Sequence, residues 1–349
     1  MKKQIFIFVL AILVSATAFG QMKLGSAPQP LTGCTTDALH PLAGVPYNYA
    51  VTVVPTGGNF QWWATKDFDF IKTTTGVTTN NSSTKLTVGA QLLNTSANYG
   101  TTGTLANVDI TWSSATLAGT TLAAPTFVVA QYDGVSPACA NNLKVYQITP
   151  VNGFTVDIKN MDQAKAPLAY AAPYSFCVSN IASAKYDAGT KAIITDYGTN
   201  VLYFEVVAAN FTGSYTPYFQ VSGLAAGQTV TSLELFTDAA MATTAIGTTL
   251  TGGAYNPSAP VAVDASVTNT STGVSLYVKL TIANGTYENK NGDTNAIMLA
   301  VNGTNASGEK DVVNTDCSKQ TDYEDTATQT LTSRPSVTAS GTGMTFVTP

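Results

Sequence analysis

Val201-Leu202-Tyr203-Phe204-Glu205-Val206-Val207 is the stretch that decides the fold class of this 349-residue chain. Its even positions, Leu202, Phe204 and Val206, are all apolar, while the odd ones include Tyr203 and Glu205. A period of two puts one side of a strand into a core and the other toward water. Similar short runs, separated by Gly, Asn, Ser and Pro, occur at 47–54, 59–63, 84–88, 108–113, 126–132 and 142–149. They resume at 176–181, 192–196, 201–208, 215–221, 229–236, 260–267, 273–282 and 296–301. No stretch keeps a helical period over ten or more residues, and 55 residues are Thr, whose branched β-carbon favours strands. At roughly 100–200 residues per domain the length suggests two domains. The expected architecture is all-β, with two tandem antiparallel β-sandwiches at 21–160 and 174–320. An Ala-, Pro- and Lys-rich linker at 161–173 joins them, and an extended C-terminal tail occupies 321–349.

Composition narrows the function. Of 37 charged residues only 16 are basic, and Arg334 is the sole arginine, so the clustered cations that nucleic-acid binding requires are missing. Residues 1–20 read as a secretory signal: Lys2 and Lys3, an apolar run over 5–14, and the small-x-small site Ala18-Phe19-Gly20 before Gln21. That run is too short to span a bilayer comfortably and no second one follows, so a secreted chain with no membrane span after cleavage is expected. Removing Lys2 and Lys3 takes the formal charge from −5 to −7. In an oxidising compartment Cys34, Cys139, Cys177 and Cys317 form an even set with three connectivities. Spacing favours Cys34 with Cys139 and Cys177 with Cys317, because each pair then brackets one domain-sized segment. Without a CxxC or a second histidine the set does not read as a zinc site.

Gly57-Gly58-Asn59-Phe60-Gln61-Trp62, then Val108-Asp109-Ile110-Thr111-Trp112-Ser113-Ser114, then Cys139 ahead of Leu143-Lys144-Val145-Tyr146, resembles the PKD-like and Ig-like modules of Bacteroidota surface and secreted proteins. The resemblance covers roughly residues 30–160. It implies core positions for Trp62 and Trp112 and an extracellular or cell-surface location on a Gram-negative bacterium. The Gly57-Gly58 pair reads as a hairpin turn. Trp63 alternates with Trp62 along a strand, so it is the candidate for a solvent-facing contact with a glycan or a neighbouring chain.

Chemistry is sparse. The single histidine, His40, lies in a Leu-His-Pro context, and no GxSxG, HExxH or P-loop motif occurs. Asp67 and Asp69, or Asp322, Glu324 and Asp325, are carboxylates of the type used in acid/base work, although exposed acidic loops are far commoner. Glu288, Asn289, Asn291, Asp293 and Asn295 surround a Gly turn and form a weak Ca²⁺ candidate, with ordinary turn chemistry as the alternative. No other cofactor is implied. Asp325-Thr326-Ala327 matches a short O-glycosylation acceptor pattern of Bacteroidota. The alternating tail from Ser336 and Val337 through Phe346 to Pro349 is read either as a frayed end or as a strand donated to the next subunit. The expected function is a non-enzymatic structural protein, self-associating as a homo-oligomer or polymer into a fibre, sheath or layer. The alternative is a monomeric adhesin or glycan-binding surface protein.

Overall fold

The computed structural model describes residues 37–75, 77–134, 141–151, 153–262, 273–311 and 325–337. The expected signal (1–20), Cys34, Cys139, Cys317 and Phe346 lie outside the described residues. The fold is all-β: 22 strands and one five-residue helix are present among the described residues.

The first core is built by β1 (Pro46–Ala50), β2 (Asn59–Thr65), β3 (Ile71–Thr74), β4 (Val77–Asn80) and β5 (Leu92–Thr95). The set continues with β6 (Thr102–Gly103), β7 (Asn107–Trp112), helix α1 (Ser114–Ala118), β8 (Thr126–Asp133) and β9 (Asn141–Ile148). One sheet has the order β1-β7-β5 and the other β6-β2-β8-β9. Between them Tyr49, Phe60, Trp62, Leu92, Ile110, Trp112 and Val128 are buried. The two indoles are also hydrogen-bonded: Trp112 Nε1 donates to Tyr49 Oη at 3.0 Å and Trp62 Nε1 to the Leu105 carbonyl at 3.1 Å. Burial without loss of the N–H bond is what makes a tryptophan a stable core residue.

Two local expectations change. β1 pairs with β7 and β2 with β8, so Gly57-Gly58 is a link between sheets rather than a hairpin turn. Glycine is required there because a Cβ on Gly58 would collide with the Asp133 carbonyl and the Tyr132 ring. The run at 84–88 is not a strand. Ser82–Thr84 forms a 3-10 turn, and Leu86 drops into the core with its amide on the Ala64 carbonyl at 2.7 Å. The Trp112-Ser113-Ser114 sequence ends β7 and starts α1, because Ser113 Oγ accepts from the Thr116 amide as an N-cap.

The second core uses β10 (Thr155–Met161), β11 (Tyr174–Cys177), β12 (Ser183–Asp187), β13 (Ala192–Asp196), β14 (Thr199–Ala209), β15 (Ser214–Ser222) and β16 (Thr229–Phe236). It is completed by β17 (Ile246–Thr251), β18 (Ala254–Pro257), β19 (Val261–Ala262), β20 (Val274–Ala283), β21 (Asn295–Asn305) and β22 (Asp325–Thr332). Its pairing path runs β10-β14-β20-β16-β17-β18-β15-β21-β22-β11, folding around Phe154, Phe204, Phe219, Leu235, Leu280 and Leu299. Leu202, Phe204 and Val206 are each fully buried, as their alternation requires.

The strand pairing departs from the expected boundaries. Residues 154–161 belong to the second core through Phe154, Val156 and Ile158, so the passage between cores precedes Phe154. Residues 161–173 are not a free linker: Met161 is buried, Asn160 Nδ2 donates to the Ala172 carbonyl, and the Gln163 amide donates to Tyr174 Oη. Residues 325–332, assigned to the tail, are an integral strand. Across the two cores Ser114 and Thr212 exchange reciprocal bonds, each amide donating to the other's hydroxyl at 2.9 and 3.0 Å.

Candidate functional site

The polar character of β22 has a structural cause. One edge of this strand pairs antiparallel with β21, and the C-terminal half of the other edge, Gln329 to Thr332, pairs parallel with β11. The N-terminal half faces β10, where side chains replace a backbone ladder. Asn160 Nδ2 donates to the Thr328 carbonyl at 2.9 Å, and Gln329 Nε2 donates to the Tyr203 and Met161 carbonyls at 2.6 and 3.4 Å. The Asn160–Thr328 and Met161–Gln329 contacts each span 168 residues, so the strands run parallel in a fixed register.

Asp157 and Asp325 meet at the same offset. Both are almost fully buried, at 4% and 2% exposure, and they hydrogen-bond to each other. Burial pushes the Asp157 carboxyl far up, helped by the bond to Asp325 and the charges of Asp325 and Asp311. Burial raises Asp325 too, against the bond from Asp157, which lowers it. Two carboxyls in this arrangement hold one proton between them at neutral pH. Two residues along β10, Lys159 Nζ lies 2.7 Å from Glu205 Oε2 on the neighbouring β14 and 5.0 Å from the Tyr170 ring centre. Ser275 Oγ donates to the other Glu205 oxygen at 2.5 Å. A proton-sharing aspartate pair is also a catalytic device, but this one is closed between strands.

The residues singled out from the sequence are dispersed. Trp63 is fully buried, which removes it as a surface contact. Its flanking same-face neighbours explain why. Gln61 Nε2 donates to Ser82 Oγ, and Thr65 Oγ1 donates to the Thr84 carbonyl, so the segment around 80–84 covers the outer side of β2. Alternation predicts the opposite side of the sheet, but that side is covered as well.

Asp67 caps its own turn, accepting from the Asp69 amide and from Asn81 Nδ2. His40 Nδ1 contacts Asp37 Oδ1 at 2.9 Å on the surface, and that contact holds the Asp37 carboxyl below its usual range. Asp322 and Glu324 lie outside the described residues. Thr326, the matched glycan acceptor, is inside β22, opposite Ala300.

In the Ca²⁺ candidate, the side-chain oxygens of Asn289, Asp293 and Asn295 accept separately from Tyr287 Oη, the Lys290 amide and Gln228 Nε2. Asn289 is fully buried and donates to the Leu331 and Thr332 carbonyls, so the loop braces the end of β22. Neither Glu288 nor Asn291 joins them: the Glu288 carbonyl takes Arg334 Nε instead, and Asn291 is exposed at the turn. Among the described residues no group of three His, Cys, Asp or Glu side chains is placed to hold a metal ion. Cys177 is exposed at the end of β11.

Two surface features were not legible in the sequence. An open groove of about 340 Å³ lies between the end of β1 and β8–β9, lined in part by Val51, Val53, Tyr132, Leu143, Lys144 and Tyr146. The chain beyond β22 is clamped at Arg334, whose amide donates to the Asn289 carbonyl and whose guanidinium reaches the Glu288 and Tyr197 carbonyls. Three residues later Val337 is 95% exposed. No helix among the described residues is long and apolar enough to cross a membrane.

No protein family's sequence profile matches the chain. No curated protein sequence matches it either. Among solved structures it aligns with BcpA, the major pilin subunit of Bacillus cereus, at 7% identity and a TM-score of 0.32, covering 82% of this chain and 69% of that one. The full-length major pilin SpaD of Corynebacterium diphtheriae aligns at 10% identity and 0.25, covering 88% and 63%. The collagen adhesin of S. aureus aligns at 6% and 0.23, covering 78% and 81%. At these TM-scores the likenesses carry no argument, and the fold rests on the strand pairing described above.

Proposed function

We propose that the chain is a non-enzymatic structural protein of the cell surface or extracellular space of a Gram-negative bacterium, self-associating into a fibre, sheath or layer. The observation that supports this most directly is the exit of the chain from its second core. β22 is fixed by β21, β11 and the β10 contacts, Arg334 is tied down by three carbonyls, and Val337 then stands in solvent. An apolar residue at 95% exposure, opening the alternating sequence 336–349, suits a strand that adds to the open edge of another copy. A head-to-tail contact of this kind propagates as an open filament when its rotation does not close into a ring.

The test compares purified residues 21–349 with the same chain ending at Pro335, by size-exclusion chromatography and negative-stain electron microscopy. Filaments or other extended assemblies from the longer chain, and a folded shorter one that forms none, are the expected results. Equal assembly by both would remove the tail from the contact, and a monomer in both cases would overturn the self-association reading. The second reading, a monomeric glycan-binding surface protein, now rests on the groove carrying Tyr146 and Lys144 rather than on Trp63. Glycan-array retention abolished by Tyr146→Ala would favour it.

A further inference from the structure

The hairpin of β12 and β13 stands apart from both cores' sheets. Among the described residues β12 pairs only with β13, and Ser183, Ala184, Lys185 and Tyr186 are all exposed. Its outer edge therefore presents backbone donors and acceptors with no strand across them. Natural edges of this kind are blunted by shortness, by charged side chains such as Lys, by proline or by a bulge. The sequence Ser183-Ala184-Lys185-Tyr186-Asp187 contains no proline and pairs with β13 without a register shift.

Its charges instead form a self-complementary set. When two antiparallel copies of β12 meet on a two-fold axis through Tyr186, Lys185 of each lies opposite Asp187 of the other, and the two Tyr186 side chains face one another. Centring the axis on Lys185 or on Asp187 opposes like charges, so the register through Tyr186 is selected by electrostatics. The apolar groups agree with that register. Tyr186 is 61% exposed and pairs with Ile193 within the hairpin, so the two copies would place an Ile193-Tyr186-Tyr186-Ile193 line across one face. Asp187 is held in place for this contact by the Gly189 amide and Thr190 Oγ1, at 2.9 and 3.0 Å.

We propose that the free edge of β12 is a two-fold self-association surface whose occupant is β12 of a second copy, forming a four-stranded sheet in the order β13-β12-β12-β13. The proposal rests on the self-association reading and adds a second, closed contact to the open one made by the tail.

The test is sedimentation velocity on residues 21–349 as wild type, Lys185→Asp, Asp187→Lys and an equimolar mixture of the two variants, each checked for fold by circular dichroism. The full chain carries both contacts, so the same series is run on the chain ending at Pro335, where only the hairpin contact remains. A reversible dimer is expected for the shortened wild type. Each single variant turns both cross-strand pairs repulsive, and its dimer should weaken at least about tenfold. The mixture sets two carboxylates of one chain against two ammoniums of the other and should restore association as a heterodimer.

A monomeric shortened wild type, variants that dimerise as wild type does, or a mixture that stays monomeric would each overturn the proposal. Lys185→Asp alone keeps the test decisive where Asp187→Lys disturbs its turn. Assemblies by the full chain that ignore Lys185→Asp but vanish without the tail would sink this interface and leave the self-association reading standing.

Discussion

Asp157→Asn puts the buried carboxyl pair to a direct test. In the unfolded chain both aspartates titrate near about 3.9. In the folded chain both carboxyls are raised, Asp157 the further, with burial the largest cause for each. A folded value above the unfolded one means that the folded state binds more protons. The pair's contribution is therefore fully present below about pH 4 and is lost as pH rises through the folded values. Holding one proton at pH 7 against an unfolded value of about 3.9 costs about 4 kcal/mol at 1.36 kcal/mol per pH unit. An asparagine amide donates to Asp325 without that proton, so the variant should recover about 2–4 kcal/mol at pH 7 and almost nothing at pH 4. At about 2–4 °C per kcal/mol for a unit of 150–250 residues, the melting temperature rises by about 5–15 °C at pH 7. The assay is thermal unfolding at pH 4, 6 and 8, monitored by far-ultraviolet circular dichroism. A variant whose melting temperature falls by the same amount at pH 4 and pH 8 would refute the shared proton, because the loss would then be independent of ionisation.

Trp63→Ala should lose about 3–5 kcal/mol, the cost of emptying a fully buried indole site, and a wild-type urea midpoint would place the side chain at the surface after all. Asn160→Ala and Gln329→Ala each orphan buried backbone carbonyls and should cost about 1–3 kcal/mol. Hydrogen exchange should then quicken in 155–161 and 325–332 before it does in β20, and uniform quickening would contradict a local seam. Lys159→Ala leaves the Glu205 carboxylate buried without its ammonium, at a cost of about 3–5 kcal/mol near pH 8. Urea midpoints of the variant and the wild type measure the loss.

The parts of the fold legible in the sequence are those fixed by alternation. Leu202, Phe204 and Val206 point inward because one side of β14 meets the core, and 192–196 and 229–236 are strands over the limits that their sequence suggests. What escaped were positions where tertiary context decides. Trp63 alternates correctly and is nonetheless buried, because the segment around 80–84 covers the second side of a sheet that alternation treats as open. β3, β4 and β12 carry too little apolar character to register as strands. Gly57-Gly58 has the residues of a hairpin turn, yet nothing local to it says that β1 and β2 belong to different sheets. Asp325 drew attention only as an exposed acid or a glycosylation match. Its actual environment is set by Asp157, 168 residues earlier, a distance at which no local pattern operates.

The polar sequence of β22 follows from its position. A strand that faces another without a backbone ladder leaves peptide groups in a dry place, and each of those must find a partner. Asn160 and Gln329 supply amide donors to the carbonyls of Thr328, Ala172, Met161 and Tyr203, which a pair of leucines would leave unsatisfied. The same reasoning accounts for Asn289, whose buried amide reaches the carbonyls of Leu331 and Thr332 from the far end of the strand. Composition alone therefore assigns 325–332 to a solvated tail, although Ala327 packs into the second core and Leu331 is fully buried. The true tail starts only after Arg334 has been tied to the Asn289, Glu288 and Tyr197 carbonyls. Any strand donated by 336–349 would therefore transmit its load into β22, and the parallel pairing of β22 with β11 makes their ladder run alongside that pull.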